Sequence, residues 1–462
     1  MSPLKNPISE TSCPRKPKAK KPPTPNGPNS ITFIATEWNA MKGGINALNR
    51  DLALGCGRLC KGKHRIVCCV IHASEHEIRA AAEANVKLIS LSSEFGISDF
   101  DEESLPKLCE VLGKDENKSE FIIGHDIFTG QVAIAVASIL GSRSVVFIHT
   151  DYGAYKAIQD GGYGSRAAEK VAGQVSIVQR ADYVYGVGPT LHQLALNLDG
   201  SDRIKRRRRI RNFVPGLADI TPKKIEGPMI AVSYGRYEGR NDLVKQPHLS
   251  IAAFCAFVKA EEARSNEDDS RPSEKRLLVA GYSLDEKERA EQIKRTLELA
   301  AQHYDGALNV SCREFLPRAE ALEVLRNSNL SMMLSWREGF GLVGWEAIAA
   351  GVPLILSEQS GLCEFLDQKF DHLGSCYWPV RVRGTYDNQV NPADVQDVSE
   401  ALRRIDRKKG RAAHLARMLR LFVLEEYSWH RRARAFLRSL DKHGFRVGRS
   451  ERSVRKKRDR QA

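Results

Sequence analysis

The 462-residue sequence predicts an α/β protein of two doubly wound domains, each a parallel sheet with helices on both faces. Three observations predict it. Short apolar runs alternate with longer amphipathic stretches, the alternation pauses near residue 224 and begins again, and a glycine-rich turn follows one of the late runs and opens a helix. A 42% hydrophobic and 28% charged composition suits a globular chain, and no run approaches the roughly 20 apolar residues of a membrane helix.

Residues 1–30 contain PRKPKAKKPPTPNGPNS, which cannot bury enough apolar surface to offset its ordering entropy, and are expected to be a disordered basic tail. From Ile31 the runs ITFIAT, HRIVCCVI, VKLISL, EFIIGH, SVVFIHT and ADYVYGVG read as strands buried on both faces. GINALNRDLALGCG, SEHEIRAAAEANV and QVAIAVASIL between them read as helices, which makes 31–223 one domain. The pattern restarts with MIAVSYG, RLLVAGY, ALNVSCREF, LSMMLSW and PLILSE, giving a second domain over 224–420. ARSNEDDSRPSEKR reads as a surface loop after a helix ending near Glu262. Beyond Asp394 the chain turns helical to about His443, and 444–462 are expected to be a second basic tail.

The net charge of +14 is uneven. Residues 1–30 carry six Lys and Arg against Glu10, and 444–462 carry eight against Glu451 and Asp459, so eleven of the fourteen net charges lie in the two ends. A nearly neutral body with basic ends is not itself a nucleic-acid-binding fold. The ends read either as solvated tails or as contacts for an anionic surface, nucleic acid or lipid head groups. The ten cysteines show no C-x-x-C pairing and read as buried thiols. Lysines and prolines stand where a secretory signal would be apolar, and the expected location is cytoplasmic.

The most informative stretch is SWREGFGLVGWEAIAAGVPLILSEQSGLCEFL, Ser335 to Leu366. A strand, a turn carrying Glu338, Gly339 and Gly341, and then a helix containing Glu346 place backbone amides and a helix N-terminus at the carboxyl end of a parallel strand. That arrangement receives a phosphate or an anionic nucleotide moiety. Glu338 and Glu346, eight residues apart, can face one ligand, and as carboxylates they must accept from hydroxyls rather than meet phosphate. Other nucleotide-using α/β enzymes would satisfy the same pattern.

The string EGFGLVGWEAIAAGVPLI closely resembles the signature of the large retaining glycosyltransferase family that includes sucrose-phosphate synthases and bacterial mannosyltransferases, the family 4 type. The resemblance covers roughly residues 31–440 and implies the GT-B fold, two facing Rossmann-like domains with the active site in the cleft between them. In register with the family, Gly43 and Gly44 of MKGGINALNRDLA would approach the donor diphosphate and the acceptor. Arg236 of VSYGRYEGR and Lys245 would grip the diphosphate, with Arg240 competing for the lysine's place. Glu338 would hold donor-sugar hydroxyls beside the Gly339, Phe340 and Gly341 turn, Leu342 and Val343 would begin the helix over the donor, and Glu346 would accept from the ribose. His125 of FIIGHDIFTG would orient the donor or face the acceptor. His149 of VVFIHTDYG is the weaker candidate, and Asp126 and Asp151 could bond the acceptor. EEYSWHRRARAFL, within 421–443, resembles the family's final helix, which crosses back to brace the first domain.

The sequence departs from the family at IKRRRRIRN, where Arg206 to Arg209 read as a solvated loop or as a contact for an anionic acceptor. The activity implied is transfer of a hexose from a nucleoside-diphosphate sugar, UDP- or GDP-linked, to an acceptor hydroxyl with retention. Neither metal nor other cofactor is implied, since two cations already serve the diphosphate. The acceptor could be small, lipid-linked or macromolecular, and a catalytically idle nucleotide-sugar sensor is the reading from another class. The signature looks like those of bacterial members.

Overall fold

In a computed structural model the described residues are 30–39, 43–61, 64–159, 165–200, 209–223, 227–237, 241–267, 274–301, 309–385 and 389–441. The basic ends, Arg206 to Arg208 and Arg240 lie outside them. A first sheet contains β1 Ser30–Ile34, β2 Arg65–Val70, β3 Val86–Ser90, β4 Phe121–His125, β5 Arg143–Ile148, β6 Tyr183–Val187 and β7 Ile210–Phe213. Its order is β3-β2-β1-β4-β5-β6-β7, all parallel. The second contains β8 Met229–Tyr234, β9 Lys275–Tyr282, β10 Val310–Glu314, β11 Leu330–Met333, β12 Leu354–Ser357 and β13 Trp378–Val380. It is also parallel, in the order β10-β9-β8-β11-β12-β13.

Each sheet therefore reverses its winding beside its first strand, between β1 and β4 and between β8 and β11. At such a switch point the loops leaving the carboxyl ends diverge and open a crevice for a ligand. The central strands are buried on both faces: all five residues of β1 and of β4 are enclosed, as are all four of β11. This is why the sequence shows them as unbroken apolar runs without alternation.

The helix Trp429–Asp441 returns to the first sheet. Ala433 meets Gly55 of the helix Gly44–Leu59, and Phe436 packs among Phe147, Tyr185 and Phe213 at centroid distances of 5.4–6.2 Å. Polar bonds fix its register: Arg211 donates to the Ser439 carbonyl at 3.1 Å and Arg432 to the Val214 carbonyl at 2.8 Å. The returning element begins at Trp429 rather than near 421, because Ser428 is extended and residues through Tyr427 complete the preceding helix Lys409–Tyr427. Two other details differ from the sequence reading. The helix Pro247–Glu267 runs past Glu262, and the three-residue β13 adds an edge strand too short to show a pattern.

Candidate active site

The loops at the two switch points enclose one cavity, lined from the first sheet by Gly43, Gly44, Ile45, Ala47, His149, Thr150 and Val187. The second sheet contributes Tyr234, Gly235, Arg236, Lys245, Phe315, Arg318, Glu338, Phe340, Gly341, Leu342, Val343 and Glu346. Arg236 follows β8 directly. Its turn exists because Gly281 at the end of β9 has φ +132° and no side chain: a Cβ there would lie 1.9 Å from the Gly235 carbonyl oxygen. Lys245 ends the five-residue helix Asn241–Lys245, which Gln246 stops by adopting φ +55°.

Lys245 is ion-paired with Glu338, which also accepts from Ser335 Oγ at 3.2 Å. Burial pushes the ammonium's pKa down, but Glu338 and Tyr155 outweigh it and hold the group charged. Beyond Glu338 the chain turns through Gly341, at φ +107°, into the helix Leu342–Ala350. Its N-cap, Gly341, has no side chain to cap it, so the amides of its first turn face the cavity beside Leu342 and Val343.

Glu346, one turn into the helix, accepts from Arg318 Nε at 2.9 Å, and the same guanidinium donates to Asp51 Oδ2 of the first domain at 2.6 Å. Burial raises the Glu346 carboxyl above its ordinary pKa, against the pull of Arg318. Arg318 and Asp51 were not anticipated from the sequence, where 267 residues separate them. The one signal was Arg318 opening a helix directly after a proline in FLPRAEAL.

The first-sheet wall is uncharged. A Cβ on Gly44 would come within 2.3 Å of Leu342 Cδ1, so any larger residue in the first-domain loop would have to push that side chain of the donor-side helix aside. His149, not His125, stands in the cavity wall. His125, 1% exposed, lies behind it, with Nδ1 3.0 Å from His149 Nε2 and Nε2 2.8 Å from Asn49 Oδ1. Asn49 turns its amide nitrogen to Cys68, so its oxygen must accept. His125 therefore donates through Nε2 and accepts from His149 through Nδ1, which leaves Nδ1 of His149 as that ring's acceptor. Burial lowers the pKa of His125 to about 3 and depresses that of His149, so both rings are neutral.

The two aspartates suggested for the acceptor are used locally. Asp126, at φ +48° and fully buried, accepts from the backbone amides of His149 at 2.9 Å and Thr150 at 3.0 Å, and from Gln174 at 3.0 Å. It shapes the loop after β5, although burial still pushes its carboxyl up to about 7. Asp151 accepts from the Ala154 amide at 3.0 Å, at the start of the helix Tyr152–Gln159. Arg209, the described member of the arginine run, is spent on the Ala181 carbonyl at 2.7 Å, the Val178 carbonyl and Asp199 at 3.1 Å. It caps the carboxyl end of the helix Ser165–Arg180.

The halves meet closely around the cavity. Gly188, with φ +85°, sits where a Cβ would be 2.4 Å from the Phe340 ring. Phe340 is thereby wedged between the first sheet and Trp345, whose centroid is 5.5 Å away. Thr190 donates to Glu364 at 2.6 Å across the same seam.

Two Rossmann-like sheets facing a cleft lined from both sides define a GT-B protein, and solved glycosyltransferases share the architecture. Sucrose-phosphate synthase from Thermosynechococcus elongatus superposes with a TM-score of 0.62 at 19% identity, covering 90% of this chain and 98% of that one. HepE from Anabaena, solved in complex with UDP and glucose, gives 0.62 at 12% identity, covering 90% of this chain and all of that one. In sequence, glycogen synthase of Mycobacterium tuberculosis is 23% identical over 332 residues, 69% of this chain and 68% of that protein. The model of the family described as "Family 4 Glycosyltransferase in conflict systems" matches residues 32–436, and the chain belongs to that family. It is a glycosyltransferase.

Proposed function

We propose that the protein transfers a hexose from a UDP- or GDP-sugar to an acceptor hydroxyl, with retention of configuration and without a metal. The observation that carries this is the convergence of Arg236, Lys245 and an uncapped helix N-terminus on one cavity wall. Two side-chain cations and a set of free amides complement a diphosphate, and they act most strongly as its charge grows during departure. HepE, of the same fold, is solved with UDP-glucose as well as with UDP and glucose, which supports the donor class.

In this reading the diphosphate exchanges for Glu338 as the partner of Lys245, and Glu338 turns to the sugar hydroxyls. Glu346 takes the ribose while Arg318 keeps its hold on one carboxylate oxygen. His149 lines the sugar's side of the cavity with a neutral acceptor nitrogen, and His125 fixes its tautomer. The bond from the anomeric carbon to the phosphate oxygen breaks, the acceptor oxygen bonds that carbon from the same face, and the acceptor proton passes to the departing phosphate oxygen. No protein carboxylate is needed as a nucleophile, in contrast to retaining glycosidases.

Calorimetry and thermal shift against UDP-, GDP-, ADP- and TDP-sugars, with donor hydrolysis followed for each, test this. One nucleotide series should stabilise the protein, and Arg236→Ala should remove that effect. Absence of binding across all four would overturn the donor assignment.

A further inference from the structure

Near the cavity, one element of the first half is built into the core of the second. The helix Tyr152–Gln159 leaves the first sheet after β5, yet its Ile158 is 5% exposed within the second domain's apolar core, alongside Val244. Tyr155, three residues earlier and so on the same helical face, packs against that core, half-buried. Its ring lies 5.8 Å from Lys245 Nζ. The Lys245 helix is thus held from two sides: the Val244 carbonyl accepts from the Trp336 amide at 2.7 Å, while Tyr155 and Ile158 approach from the first half. Gln246, in its left-handed conformation, ends the helix at Lys245.

We propose that Tyr155 is a positioning residue for the diphosphate grip, holding the Lys245 ammonium in place from across the cleft. This rests on the donor reading above and deepens it, since the first half would then help to set a cation belonging to the second. A ring face attracts an ammonium most strongly where water is excluded, and packing against the lysine stem narrows its rotamers before a ligand arrives. Burial raises the pKa of the Tyr155 hydroxyl, so the ring stays neutral beside the Lys245 ammonium.

A double-mutant cycle read by nucleoside-diphosphate affinity tests the coupling, with UDP, GDP, ADP and TDP titrated in turn by calorimetry. Tyr155→Ala should weaken the diphosphate that binds about tenfold, and Tyr155→Phe, which keeps the ring, should stay within about threefold of wild type. In a Lys245→Ala background, Tyr155→Ala should change affinity less than about twofold. Full additivity of the two losses, with melting temperatures matched, overturns the inference while leaving the donor reading standing. If Tyr155→Ala does not fold, Tyr155→Leu, which fills the apolar contact without a ring, takes its place in the cycle. Failure of the wild type to bind any of the four diphosphates overturns both readings together.

Discussion

On the second-sheet side of the cleft, Arg236, Lys245, Arg318, Glu338 and Glu346 all reach the cavity, whereas the first-sheet side presents Gly43, Gly44, Ile45, Ala47, His149 and Thr150. On the charged side Lys245 is paired with Glu338, and Arg318 with both Glu346 and Asp51 of the first domain, so none of these ions is buried alone. The uncharged side works by close approach, with glycines at Leu342 and Phe340 and a histidine pair kept neutral by burial. One face of the site is thus specified by charge and the other by shape, and substitutions on the two should fail in different ways.

The sharpest separation is expected at Glu338. Glu338→Gln keeps the volume and removes the charge, and turnover of the true donor should fall about 100-fold, a larger loss than the fall in stability from leaving Lys245 without its carboxylate can account for. Unaltered turnover would remove Glu338 from the reacting centre. A first-side change should do the reverse. Gly188→Ala forces a side chain into a glycine-only conformation and against Phe340, so stability should fall by about 1–3 kcal/mol in a denaturant titration while nucleotide affinity changes less than about threefold. A large affinity loss without destabilisation would erase the distinction between the faces.

The smallest effect concerns pH. His125, with a folded pKa near 3 against an ordinary value of 6.5, binds fewer protons folded than unfolded. Its contribution is therefore complete above about pH 6.5 and is lost as pH falls toward 3. Asp126, raised to about 7, has the opposite sign between about pH 7 and 4, but it is common to both proteins compared. Wild type should lose about 2 kcal/mol more than His125→Gln between pH 7 and pH 5. Parallel stability curves would mean that the histidine is not held neutral.

From β1 to β12 every strand but β7 was legible as a short run, and the central ones most clearly, because strands enclosed on two faces leave unbroken apolar runs; the half-exposed β7, IRNF, leaves none. The glycine turn was legible because Glu338 to Glu346 is local. What escaped depends on distant chain segments: Asp51 with Arg318, Tyr155 with Lys245, and the choice of His149 over His125 for the cavity wall. Both histidines stand at the ends of adjacent strands, and the contact of His125 with Asn49, far away in sequence, is not visible there. The local bonds of Asp126 and Asp151 were not legible for a related reason, since a carboxylate at a strand end looks the same in sequence whether or not it already accepts backbone amides.

The returning helix Trp429–Asp441 also sets a timetable. During synthesis the first sheet emerges early, but the edge formed by Phe147, Tyr185 and Phe213 stays uncovered until Phe436 has been made. At roughly 5–20 residues per second that interval is about 10–45 s. The first half to be translated is therefore the last to be sealed, and a chain that ends before Phe436 lacks the ring that covers this aromatic seam.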